Sequence, residues 1–162
     1  MQAISEFLSA QDNRAQLMVY WVGQAYVDLN SGTTYLAPRD FRLDNMPETG
    51  IKLRDLITTL EKFVAREKLL VLDTCHEVSA VESQSQPSTG DQIRKVMIGE
   101  AVSRSVIVVG SCDTRRRVVL DDERKQGQFA TQLGKALEGD ADFDGDAQVS
   151  ADELYRSLRQ QL

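Results

Sequence analysis

Leu69-Leu70-Val71-Leu72-Asp73-Thr74-Cys75-His76 is the stretch on which the fold turns. Four apolar residues run straight into an acid, a cysteine and a histidine. A short continuous apolar run is the pattern of a strand buried on both faces of an α/β sheet. Open α/β sheets place ligands and chemistry at the carboxyl ends of their strands. Cys75 is therefore the thiol that the rest of the chain has to explain.

Working outward, residues 51–66 carry Leu53, Leu56, Ile57, Leu60, Phe63 and Val64 at helical spacing, which predicts an amphipathic helix before the strand. Leu17-Met18-Val19-Tyr20-Trp21-Val22 reads as a second buried strand, rich in β formers and ending at Gly23-Gln24-Ala25. Asn30-Ser31-Gly32 is a turn signal, with a short strand from Thr33 to Leu36 after it. Residues 38–50 read as a loop with two prolines, and residues 2–10 as a short amphipathic helix. Residues 77–90, rich in serine with Pro87 and Gly90, read as a mobile loop. A helix at 91–101 and a buried strand at 106–109 follow. Val118-Val119-Leu120 reads as a short edge strand, and residues 128–138 and 151–161 as helices. Strands alternating with helices predict one α/β domain over 1–162 with a mainly parallel sheet.

Composition narrows the function. The 162 residues hold 19 basic and 25 acidic side chains, for a net charge of −6. That disfavours a nucleic-acid binder, which is usually basic. No apolar run approaches a membrane span, and residues 1–10 lack the basic start and apolar core of a signal peptide. The two cysteines, Cys75 and Cys112, both close apolar runs, which speaks against a disulfide framework and for a reducing compartment. A cytoplasmic protein is the expectation. Cys112 reads as structural. Arg115, Arg116 and Arg117 read as a solvated loop beside Asp121, Asp122 and Glu123.

Three segments fall in an informative order. Val19-Tyr20-Trp21-Val22-Gly23-Gln24-Ala25 comes first, then Leu72-Asp73-Thr74-Cys75-His76, then Gly127-Gln128-Phe129-Ala130-Thr131-Gln132-Leu133 with Asp142-Phe143-Asp144-Gly145-Asp146 behind it. This order resembles the caspase-like cysteine peptidases (the C14-like metacaspases and bacterial caspase homologues). There a strand ends in Tyr-x-x-Gly-His-Gly, a later strand ends in Asp-x-Cys-His, and a helix with Phe-Thr-x-x-Leu follows. The resemblance spans residues 15–162. It implies a three-layer sandwich with Cys75 as nucleophile. It also implies that Asp73 lines a pocket for a basic side chain and that Gly23 gives a backbone N–H to the oxyanion.

The sequence departs from that pattern at the base. Gln24 stands where the family has histidine, and Ala25 where it has glycine. A glutamine amide neither accepts a thiol proton nor returns one to a leaving amine. His76 adjoins Cys75, and neighbours on an extended segment face opposite ways. A second departure lies at the front, where only about 16 residues precede the first strand. The family's leading strand–helix–strand unit is not seen in this sequence, so the expectation is an open edge at 17–22 for another chain, a second copy or residues 1–14 to cover. The expected function is a pseudoprotease with a binding or regulatory role toward a protein or peptide. An active endopeptidase cleaving after Arg or Lys is one alternative. The other is a calcium-responsive interaction module.

That last alternative comes from the segment 142–153, which fits the twelve-position EF-hand loop. Asp142, Asp144 and Asp146 stand at positions one, three and five, Gln148 at seven, Ser150 at nine and Glu153 at twelve. Hard oxygen ligands at alternate positions suit calcium, here as a weak site. Ala147 takes position six, where glycine is usual. The same acids read equally well as a turn capping the last helix.

Overall fold

The computed structural model describes residues 16–28, 30–75, 88–111, 120–121 and 126–161. The expected helix at 2–10, His76, Cys112, the triple arginine and Val118-Val119 lie outside them. The chain divides into two compact units, Met1–Arg116 and Arg117–Leu162.

The first unit is an α/β layer structure. Its strands are β1 (Gln16–Asp28), β2 (Thr33–Leu36), β3 (Ile51–Lys52), β4 (Glu67–Cys75) and β5 (Ile107–Gly110), and its helices are α1 (Met46–Thr49), α2 (Leu53–Glu61) and α3 (Ser88–Ala101). The sheet order is β3-β2-β1-β4-β5. β1 pairs with β4 and β4 with β5 in parallel, whereas β1–β2 and β2–β3 are antiparallel. The sheet is thus mixed. Parallel pairing requires a crossover, and α2 and α3 supply the two crossovers.

Apolar spacing decides what α2 buries. Leu53, Leu56, Ile57 and Leu60 line one side and meet Leu70 and Leu72 of β4, with Leu17, Val19 and Trp21 of β1 against the same cluster. Arg54 fixes α2 to the end of α3, donating to the carbonyls of Glu100 and Val102, which meets carbonyls that the helix itself leaves unpaired. Leu70 is fully buried. Leu70→Ala is expected to destabilise the fold by about 2–5 kcal/mol, read as a lowered urea midpoint.

Several sequence expectations change, among them the strand expected buried at 106–109, which runs Ile107–Gly110 with Ile107 exposed. The strand 17–22 is buried on one face only: Met18, Tyr20 and Val22 point away from the core, and Val22 is 64% exposed. The helix expected over 51–66 spans only Leu53–Glu61, because the chain must turn before β4 begins at Glu67. Phe63 still reaches the core from that turn. The loop 38–50 contains the one-turn helix α1, with Pro47 in its first turn, where a missing N–H costs nothing. Of the expected mobile loop 77–90, Ser88, Thr89 and Gly90 belong to α3, and residues 77–87 lie outside the described residues.

The second unit contains a two-stranded antiparallel ribbon, β6 (Leu120–Asp121) and β7 (Gln126–Gly127), and two helices, α4 (Gln128–Lys135) and α5 (Ala151–Gln161). A π-type turn, Ala136–Asp140, extends α4. The two helices pack on each other, with Phe129, Leu133, Leu154 and Leu158 buried. No helix among the described residues is long and apolar enough to cross a membrane.

Candidate functional site

The parallel ladder between β1 and β4 runs in register from Gln16 opposite Glu67 to Gln24 opposite Cys75. It therefore sets Val22 opposite Asp73, Gly23 opposite Thr74 and Gln24 opposite Cys75. These strands are 51 residues apart in sequence at this point, yet all four predicted site residues of this unit (Gly23, Gln24, Asp73 and Cys75) meet at one end of one strand pair. It is the carboxyl end, where open α/β sheets carry their sites.

Side chains on alternate residues share a face. Tyr20, Val22, Gln24 and Tyr26 thus form one row along β1. The Tyr20 hydroxyl donates to Asp73 Oδ2 at 2.8 Å. The Tyr26 hydroxyl donates to Gln24 Oε1 at 2.6 Å. The Tyr26 ring stacks on Phe41, with centroids 4.9 Å apart and planes 15° from parallel. Each candidate polar residue is therefore held by a tyrosine two or more positions away. Sequence reading missed Tyr20, Tyr26 and Phe41 as site residues. Period-two alternation puts 20, 22, 24 and 26 on one face of a strand, but the all-apolar and aromatic run 17–22 does not mark which face is outward.

Gly23 precedes Gln24 with φ 155°, and a Cβ built there would lie 3.4 Å from the Trp21 indole nitrogen. Asp73 is half-buried, and none of the ion pairs among the described residues involves it. Burial first, then the hydrogen bond to Asp73 and its negative charge, hold the Tyr20 hydroxyl well above the usual phenol range. A raised folded-state value favours the protonated form. The resulting stabilisation is complete below the unfolded value of about 10 and is lost as pH rises beyond it. Tyr20→Phe is expected to remove a component titrating well above pH 10 from the alkaline absorbance titration at 295 nm. It should also flatten the fall in stability above that pH.

In the second unit, the loop after the π-type turn is organised by its own carboxylates. Asp142 Oδ1 accepts from the backbone N–H groups of Gly145 and Asp146, and Oδ2 from that of Ala147. Asp146 accepts from the Gln148 N–H. Glu153 closes the loop by accepting from the Phe143 and Ser150 N–H groups and the Ser150 hydroxyl. The Ser150 bonds, with the Phe143 and Asp144 N–H groups, lower the Glu153 pKa. Ligand oxygens of Asp142, Asp144 and Asp146 lie within 4.8 Å of one another. Ala147 takes φ 62°, the left-handed conformation that glycine usually supplies at this position. The oxygen set is one that a hard divalent cation can use. The same bonds also satisfy the loop without one.

No family model matches the chain, and no curated protein matches it.

Proposed function

We propose that the chain is a caspase-like domain, a three-layer sandwich, that holds a peptide instead of cutting it. The observation that carries this reading is the register of β1 and β4, in which Gln24 lies opposite Cys75. A thiol needs a base to attack a peptide bond, since an unperturbed cysteine is only a few per cent thiolate at pH 7. The residue opposite it is an amide, which does not titrate near neutral pH and so is no base. What the strand ends retain is recognition. Asp73 offers a carboxylate for an Arg or Lys side chain, through a charge-assisted bond.

The test is hydrolysis of fluorogenic peptides ending in Arg or Lys, beside a Cys75→Ala control. The expected result is no turnover above that control at any pH. Turnover that disappears in Cys75→Ala would overturn the reading in favour of an endopeptidase with a base elsewhere. The β2-side edge of residues 17–22 supports a second chain as partner, because no described strand pairs with it.

The calcium-responsive module is a second reading. It rests on the grouped oxygens of Asp142, Asp144 and Asp146 and on the left-handed Ala147. Gln148 would add its carbonyl and Glu153 a bidentate carboxylate. A rise in Tm with millimolar calcium that magnesium does not reproduce supports it. An unchanged Tm rejects it.

A further inference from the structure

We infer that the Gln24 side-chain amide is a fixed hydrogen-bond donor to the backbone carbonyl of the residue whose basic side chain sits on Asp73. This deepens the peptide-binding reading above and rests on it. A glutamine in place of a base is ordinarily a loss. Here the surroundings give it a defined task.

Tyr26 determines which end of the amide is presented. Its hydroxyl lies 2.6 Å from Gln24 Oε1, a separation typical of O–H···O bonds and short for N–H···O. The carbonyl end of the amide is thus the latched end. The stacked Phe41 holds the tyrosine ring in turn, and the Phe41 N–H is bonded to the Pro38 carbonyl. The NH2 end, with two donors, has no partner among the described residues. Gln24 is only half-buried and its nitrogen is not among the buried atoms that lack a partner, so the donor pair is open to an incoming acceptor.

The placement specifies the acceptor. Gln24 stands two residues beyond Val22, the register partner of Asp73, a step of about 6.6 Å along the strand. A ligand joining these points needs a cation at one end and a neutral oxygen at the other. A carboxylate at the Gln24 end would feel the charge of Asp73. An Arg or Lys residue within a peptide, head group on Asp73 and its own carbonyl on Gln24, meets both requirements.

The experiment is fluorescence anisotropy on the full chain. The probes are a fluorescein-labelled arginine peptide amide and its neutral analogue, in which a trans-alkene replaces the arginine carbonyl and amide. The expected result is that the alkene weakens binding to the wild-type chain about 3- to 10-fold and leaves binding to Gln24→Ala unchanged. Gln24→Glu keeps the shape, lacks the donor and should be equally indifferent to the alkene, so a fold defect in the alanine variant does not decide the matter. Tyr26→Phe should reduce the alkene effect without removing arginine selectivity. If the alkene weakens wild type and both Gln24 variants equally, while Asp73→Asn abolishes arginine selectivity, the donor role is overturned and peptide binding stands. If the wild-type chain binds neither probe, both are overturned.

Discussion

Gln24→His is expected to raise cleavage of an arginine-ending fluorogenic peptide by about 10²–10⁴-fold over the wild-type chain, the usual contribution of a general base. The register already puts this position opposite Cys75 on the adjacent strand. The Tyr26 hydroxyl, now on Gln24 Oε1, is placed to bond one imidazole nitrogen and so orient the ring. A base oriented by a third group is the general arrangement for nucleophile activation. The gain should vanish in the Gln24→His, Cys75→Ala double variant and shrink when Tyr26→Phe is added. Initial rates at pH 7 on folded samples settle it. No gain would mean that the β1–β4 end is not a peptidase framework, and the resemblance would lose its main support.

Asp73→Asn is expected to weaken binding of an arginine peptide by about 10- to 100-fold, the range for a hydrogen bond to a charged group. A norleucine peptide of the same length should be unaffected. Tyr20 can donate to an asparagine oxygen as it does to Asp73 Oδ2, so the substitution removes charge more than structure. Raising ionic strength should weaken arginine binding to the wild-type chain and leave the Asn variant nearly unchanged. Equal loss for both peptides would assign Asp73 to folding.

The two units differ in how much of their chemistry could be read in advance. The loop at 142–153 was legible almost completely. Its hydrogen bonds join residues at most ten apart, such as Phe143 to Glu153, so spacing alone foretells them. The β1 strand was legible as a strand and misread as to its faces. Every residue from Leu17 to Val22 is apolar or aromatic, so no period-two signal marks Met18, Tyr20 and Val22 as the outward set. Helix α2 shows the same limit. Apolar spacing runs on through Phe63 and Val64, yet the helix ends at Glu61 and Val64 is 71% exposed.

By itself, then, the sequence determined the α/β class, the strand before Cys75 and the acidic loop. Each follows from local preference or short-range periodicity. Only the tertiary structure decided that Gln24 stands opposite Cys75 in the strand register, that Tyr20 bonds Asp73 across 53 positions, and that Tyr26 and Phe41 stand behind the amide. Strand register is a property of two segments at once, set by how their side chains fill a common core under α2. A single segment carries no record of the partner it will meet.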